Sequence, residues 1–359
     1  MRRVLLLIAV LAVAAPSATA AETRDITIAV SGDMLVHEAV WRQAAAYADG
    51  DGYDFRPMLR RVRPLIAGAD LAFCHVETPL TARTTAPTAF PVFSTPPALA
   101  TAIRRAGFDA CSTASNHSLD QGPAGVAATL RALDASHVRH AGSARSAREA
   151  RRPLILETAS GVRVALLAFT QVTNGQVPDP AWRVNDIGSD ARPILAQARQ
   201  ARRLGADVVV VNLHWGVELQ HEPTGEQAAL ARKLGSSGLI TAIVGQHAHV
   251  VQPIRRAGGA LVLFGEGNLL SGQAKAAEFG LPAETQDGLI GLLRIRVPAT
   301  GPATLRRIDY APIYVDHADY VVVPVGADRS KPEYEASLAR TTAAIGHGPH
   351  FGAWRRMTP

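Results

Sequence analysis

The chain has 359 residues, 47% hydrophobic and 19% charged, which is enough to bury a substantial core and excludes a disordered chain, a coiled coil and a collagen-like repeat. Two cysteines are too few for a disulfide scaffold or a cysteine-built zinc finger. The formal charge of +6 comes from scattered arginine, the only lysines being Lys233, Lys275 and Lys331, so it predicts a mild preference for anionic partners and no nucleic acid.

Residues 1–20 read as a removable leader. Arg2 and Arg3 form a positive start, residues 4–15 an apolar stretch too short to span a bilayer comfortably, and Ala18-Thr19-Ala20 a cleavage site of A-x-A type. Cleavage after Ala20 predicts an exported protein, periplasmic or secreted, with its charge lowered from +6 to +4. No later stretch is long and apolar enough to cross a membrane. Cys74 and Cys111 would then meet an oxidising compartment. Both fall in predicted strands, and buried free thiols are expected rather than a bridge.

From residue 26, apolar runs rich in β-branched residues alternate with helical patterns. Strands are predicted at 26–31, 69–76, 109–114, 162–170, 207–213, 242–244 and 260–264. Helices are predicted at 55–67, 97–106, 122–135, 191–204 and 225–236. This rhythm predicts an α/β fold with largely buried strands. Residues 81–97, rich in Pro and Thr, read as a long ordered loop and the wall of a site. After Asp287, strands at 289–297, 304–312 and 320–324 predict a meander completing a second sheet. Ser330-Lys331-Pro332-Glu333 opens a last helix that should stop near Gly346. The expected organisation is a leader at 1–20, one domain over 26–324 and a helical tail at 325–359.

The polar residues that carry chemistry follow the strands. Asp33 comes after the first run with His37 one turn on, and Glu77 closes the next. Asn116 and His117, with Asp120 following, close the third; His214 ends the valine-rich run, with Glu218 beyond it; and His247-Ala248-His249 follows residues 242–246. Each ending alone has a bland reading: a turn, a helix cap or a packed core histidine. Five together are different, because the carboxyl ends of parallel strands gather along one edge where ligands bind. Carboxylate, amide and imidazole donors suit Mn, Zn, Fe or Co better than Ca or Mg. His75 lies inside its strand and reads as structural. His137, His140, His221, His317, His347 and His350 read as surface or tail.

These segments resemble a known family. Ser31-Gly32-Asp33-Met34-Leu35, Val76-Glu77-Thr78-Pro79-Leu80-Thr81, Ser115-Asn116-His117-Ser118-Leu119-Asp120-Gln121-Gly122, His214-Trp215-Gly216-Val217-Glu218 and Gly245-Gln246-His247-Ala248-His249 are similar, in order, to the motifs of the CapA family of poly-γ-glutamate capsule synthesis. That family is related to the calcineurin-like metallophosphoesterases, and the resemblance spans roughly residues 26–324. It implies a four-layer α/β/β/α sandwich of metallophosphatase type around two divalent metal ions. Asp33 would bind the first metal and Glu77 would bridge. Asn116, His214 and His247 would bind the second metal, and His249 would return to the first. His117 would be a catalytic acid or base, oriented by Asp120. The sequence departs from the phosphoesterase pattern at Leu35, where an imidazole is usual; His37 reads as its substitute. Glu77 lacks the usual Gly-Asp-x-x-Asp/His context, and Ser115-Asn116 replaces a double Asn. These departures bear on phosphodiester hydrolysis more than on metal binding.

The resemblance implies a metal-dependent, hydrolase-like protein of poly-γ-glutamate or capsule polymer biosynthesis. Its substrate would be an anionic polymer or a phosphate-bearing compound, and its partner a membrane polymer-synthase complex. A second reading is a periplasmic metallophosphatase acting on small phosphate esters. A third is a non-catalytic export or scaffold subunit.

Overall fold

The computed structural model describes residues 22–273 and 280–353; the leader predicted at 1–20 lies outside them. The chain runs β1 (Arg24–Leu35), α1 (Glu38–Tyr47), α2 (Arg56–Leu59), α3 (Arg63–Ala67), β2 (Leu71–Val76), α4 (Ala98–Ala106), β3 (Ala110–Ser112), α5 (Gly122–Ala135), β4 (Arg139–Ala141), α6 (Ala147–Ala150) and β5 (Leu154–Glu157). It continues through β6 (Arg163–Thr170), α7 (Ala191–Arg203), β7 (Val208–His214), α8 (Gly225–Gly235), β8 (Ala242–Gln246), β9 (Ile254–Ala257), β10 (Ala260–Leu263) and β11 (Asn268–Ser271). The last elements are β12 (Asp287–Val297), β13 (Thr304–Asp316), β14 (Val321–Pro324), α9 (Pro332–Ile345) and β15 (Phe351–Ala353).

Two sheets result. The first has the order β14-β13-β12-β1-β2-β3-β4, with β11 on β1 and β15 on β13; the second has the order β5-β6-β7-β8-β10-β9. Strand alternation explains how they stack. In β7, Val208 and Val210 belong to one buried cluster, Val209, Val211 and Leu213 to another. In β2, Leu71 and Phe73 face the same cluster as Val208, whereas Ala72, Cys74 and Val76 face a third. The shared cluster is the core between the sheets. The third lies under α1, α2 and α4, and the one holding Val209 lies under α7 and α8. Helices therefore cover both outer faces, giving four layers, α/β/β/α. Strands covered on both faces must be apolar on both, which is why β7 reads as nearly continuous valine.

Three expectations need correction. The helix predicted over 55–67 is two short ones, α2 and α3, each with a proline in its first turn. Proline offers no N–H and its ring clashes with the carbonyl four residues back, so Pro64 starts a helix and cannot continue one. The carboxyl-terminal meander extends the first sheet and not the second: β12 runs antiparallel along the edge of β1 not taken by β2. Finally, Cys74 and Cys111 are bridged and not free. Parallel pairing of β2 with β3 sets Cys74 opposite Cys111 with their Cα atoms 4.4 Å apart, within disulfide range.

Candidate metal centre

The inter-sheet core ends in polar residues at one edge. On β2 the inward row is Leu71, Phe73, His75; on β7 it is Val208, Val210, Asn212, His214. On β1 it is Ile26, Ile28, Val30, and simple alternation would next present Gly32. Instead the pairing with β2 steps from Val30 opposite Phe73 to Asp33 opposite His75. That is one extra residue on β1, a bulge, which turns Asp33 inward. Gly32 is required within it, because a Cβ there would lie 2.1 Å from the carbonyl oxygen of Gly267. The Asp33 N–H donates to that same oxygen at 2.9 Å.

The sheets are joined at this edge. His247 N–H donates to Asp33 Oδ2 at 3.0 Å, and Gln246 Nε2 donates to the Ser31 carbonyl at 3.2 Å. His247 and His249 both have positive φ, 88° and 55°, a conformation that non-glycine residues adopt at some cost. It sets the His249 imidazole against Asp33 and Glu77 and brings the His247 ring to 4.6 Å, centroid to centroid, from that of His214. His249 Nδ1 lies 3.3 Å from Asp33 Oδ2 and 3.1 Å from Asn268 Oδ1, and its Nε2 lies 3.6 Å from Glu77 Oε1. His214 Nε2 is 2.9 Å from Asn116 Oδ1 and 4.0 Å from Glu77 Oε1, while its Nδ1 is 3.9 Å from Asp33 Oδ1. His75 Nε2 lies 3.6 Å from Asp33 Oδ1, and its ring stacks on His214 with centroids 4.9 Å apart.

Metal ions fit this arrangement. Asp33 Oδ1, both Glu77 oxygens, His75 Nε2, His214 Nδ1 and His247 Nδ1 are buried without a hydrogen-bond partner among the described residues. Each such orphan costs about 1–3 kcal/mol, and a cation satisfies several lone pairs together. Asp33, His75 and His214 can hold an ion; so can Asp33, Glu77 and His249, and so can Glu218, His247 and His249. Burial leaves the imidazoles neutral, the ligating form: it lowers His75 to about 4 and His247 to about 3, and His214 well below the usual histidine range. Burial also pushes the Glu77 carboxyl well above the ordinary range. Burial opposes ionisation of Asp33 too, but the adjoining His249 outweighs it and the carboxyl ends up lowered. For His249 burial is again the largest influence, yet Glu77 and Asp33 overcome it and raise the imidazole to about 10.

His117 and Asp120 stand beside this cluster. His117 Nδ1–H donates to Asp120 Oδ2 at 2.8 Å, which also accepts the Phe93 N–H at 2.7 Å. The Phe93 ring meets the His117 imidazole edge-on, 4.7 Å between centroids, so the 81–97 loop does wall the site. From the loop after β6, Asn174 accepts from Asn116 Nδ2 at 3.3 Å and Gln176 Nε2 approaches Asp120 Oδ1 at 3.5 Å.

Of the residues expected at the site, Asp33, Glu77, Asn116, His214, His247 and His249 are brought together, with His117 and Asp120 adjacent. His37 is not. Its Nδ1 is 3.0 Å from the Leu35 carbonyl and its ring packs edge-on against Phe93. Sequence reasoning took His75 as structural and quoted Glu218 without a role. The signal for His75 was its parity with Leu71 and Phe73, invisible while the strand read as apolar on both faces.

The family model described as bacterial capsule synthesis protein PGA_cap matches residues 27–273. The PGA biosynthesis protein CapA of Bacillus subtilis (strain 168) is 25% identical over 229 residues, covering 64% of this chain and 56% of that protein. The capsule biosynthesis protein CapA of Bacillus anthracis is 28% identical over 175 residues, covering 48% and 42%. The chain thus spans about half the length of these curated relatives. Among solved structures, the calcineurin-like phosphoesterase YfkN of Bacillus subtilis aligns over 89% of this chain and 97% of its own at 14% identity and a TM-score of 0.47. The Haemophilus influenzae NAD nucleotidase NadN aligns over 92% and 57% at 12% identity and the same TM-score, 0.47.

Proposed function

Because the chain belongs to the bacterial capsule synthesis protein family PGA_cap, we propose that it is an exported, metal-dependent hydrolase-like protein of capsule or poly-γ-glutamate biosynthesis, acting on an anionic polymer or another phosphate-bearing or peptide-like substrate. A membrane polymer-synthase complex is its partner in this reading. The observation that carries the reading is the set of buried lone pairs on Asp33, Glu77, His214 and His247 that find no partner among the described residues. Two divalent ions of the Mn, Zn, Fe or Co class would be held there, with Asp33 and His249 on one, Asn116, His214 and His247 on the other, and Glu77 between. Such ions supply Lewis acidity to an anionic oxygen and acidify water near neutral pH.

The remaining work falls to side chains. Asp120 accepts His117 Nδ1–H, which fixes the tautomer and leaves Nε2 to take or give a proton at the substrate. The Phe93 N–H on Asp120 ties that pair to the 81–97 loop, and the Phe93 ring keeps water from one side of the imidazole. Asn174 orients Asn116 through its amide. The test is a screen of the metal-loaded protein against γ-glutamyl polymers and against small phosphate mono- and diesters. Cleavage of the polymer supports the reading. Turnover of phosphate esters alone moves the chain to the metallophosphatase reading, and metal binding without turnover of either class moves it to the scaffold reading.

A further inference from the structure

We infer that His75 is a metal ligand beside Asp33, in the place that sequence reasoning gave to His37. The inference deepens the two-metal reading above and rests on it. Asp33 and His75 are register partners on the parallel strands β1 and β2, so the bulge that turns Asp33 inward sets it against this imidazole. Both side chains are fully buried, and the facing atoms, Asp33 Oδ1 and His75 Nε2, have no hydrogen-bond partner among the described residues. Their separation is 3.6 Å, too long for a hydrogen bond. Two ligands each about 2.1 Å from one ion, at a roughly tetrahedral angle, lie about 3.4 Å apart, which is close to that spacing.

The other face of the imidazole is arranged as ligating histidines require. Ser112 Oγ lies 2.5 Å from His75 Nδ1 and 3.4 Å from the Cys74 carbonyl oxygen. A hydroxyl has one proton, and a carbonyl can only accept. The assignment that uses both contacts has Ser112 donating to Cys74 and His75 Nδ1–H donating to Ser112. The Nε2 lone pair is then left facing Asp33, which is how outer-shell partners orient ligating imidazoles. Cys74–Cys111 is the adjacent register pair, so the disulfide fixes the strand spacing on which the His75–Ser112 contact depends. His37 enters none of the groups that could hold an ion among the described residues, and its ring packs edge-on against Phe93.

The test measures metal and not turnover. Wild type, His75→Ala, His75→Gln, His37→Ala and Ser112→Ala proteins are loaded with Co(II) or Zn(II), and bound metal is counted by elemental analysis. Far-UV circular dichroism checks folding. Both His75 variants are expected to hold about one ion fewer than wild type and to show altered Co(II) d–d bands. Ser112→Ala is expected to weaken loading about 10–100-fold, and His37→Ala to match wild type. Folded His75 variants with wild-type stoichiometry and spectrum overturn the inference and leave the two-metal reading standing. Wild type that binds no metal overturns both. If neither His75 variant folds, zinc titration of wild type labelled with 15N-histidine decides: a zinc-induced shift at His75 Nε2 supports ligation, and an unmoved resonance overturns it.

Discussion

Asn116 and His117 are neighbours with different partners. The Asn116 amide oxygen meets His214, whereas the His117 ring turns to Asp120 and Phe93. Their substitutions should therefore separate. His117→Ala is expected to keep full metal content and lose about 10²- to 10⁴-fold in turnover, the range for a positioned acid or base. Asn116→Ala is expected to lose metal first. Elemental analysis of the two variants checks this without a substrate, and metal loss in His117→Ala with retention in Asn116→Ala would reverse the roles. The type and position of these residues were legible because each follows an apolar run. His75 was not, because it sits inside one.

At the scale of elements, the end of β1 sets the aim of the site. The bulge depends on Gly32, whose missing side chain lets the Gly267 carbonyl approach. Gly32→Ala must move backbone on one side or the other. It is expected to cost about 1–3 kcal/mol, as overpacking does, and to strip metal because Asp33 is displaced. A denaturation midpoint near wild type with full metal content would show that the bulge tolerates a Cβ. The β2–β3 pair yields a second prediction. Its disulfide closes a separation of 37 residues. Chain-entropy arguments for loops of that size give about 3–4 kcal/mol, so the double Cys→Ala variant should lose roughly that much stability in denaturant. Alkylation of unfolded protein without reductant should label neither Cys74 nor Cys111. The bridge was not legible because strand order and register are set by pairing, and spacing along the chain does not reveal them.

For the whole molecule, Asp33, Glu77 and Asn116 lie at the ends of the first sheet, His214, His247 and His249 at the ends of the second. An ion held between them ties the sheets together and binds only the folded chain. At 100 times its dissociation constant such a ligand adds about 2.7 kcal/mol, which for a domain of this size raises Tm by about 4 °C. Loaded and chelator-treated protein compared by calorimetry should differ by that amount, and identical Tm values with metal bound would place the ions outside this seam. Export is the other prediction at this scale. Mass spectrometry of the native protein should find its amino terminus at Ala21, and a chain beginning at Met1 would overturn it.

The sequence by itself determined the α/β alternation, the apolar strands and the polar residue that closes each one. These are local: periodicity and strand endings follow from what each segment must bury. It also carried the motif order by which the family is identified. The tertiary structure alone decided which strands are neighbours, and three results hang on that. The meander joins β1 because an edge of the first sheet is open to it. Cys74 finds Cys111 because β2 and β3 pair in that register. His75 faces Asp33 because a one-residue bulge shifts the alternation of β1 against β2. A strand buried on both faces hides which face is which, since apolar residues fill both. Only packing the second sheet against the first distinguishes the inner row from the outer and shows where the inner row runs out into the metal centre.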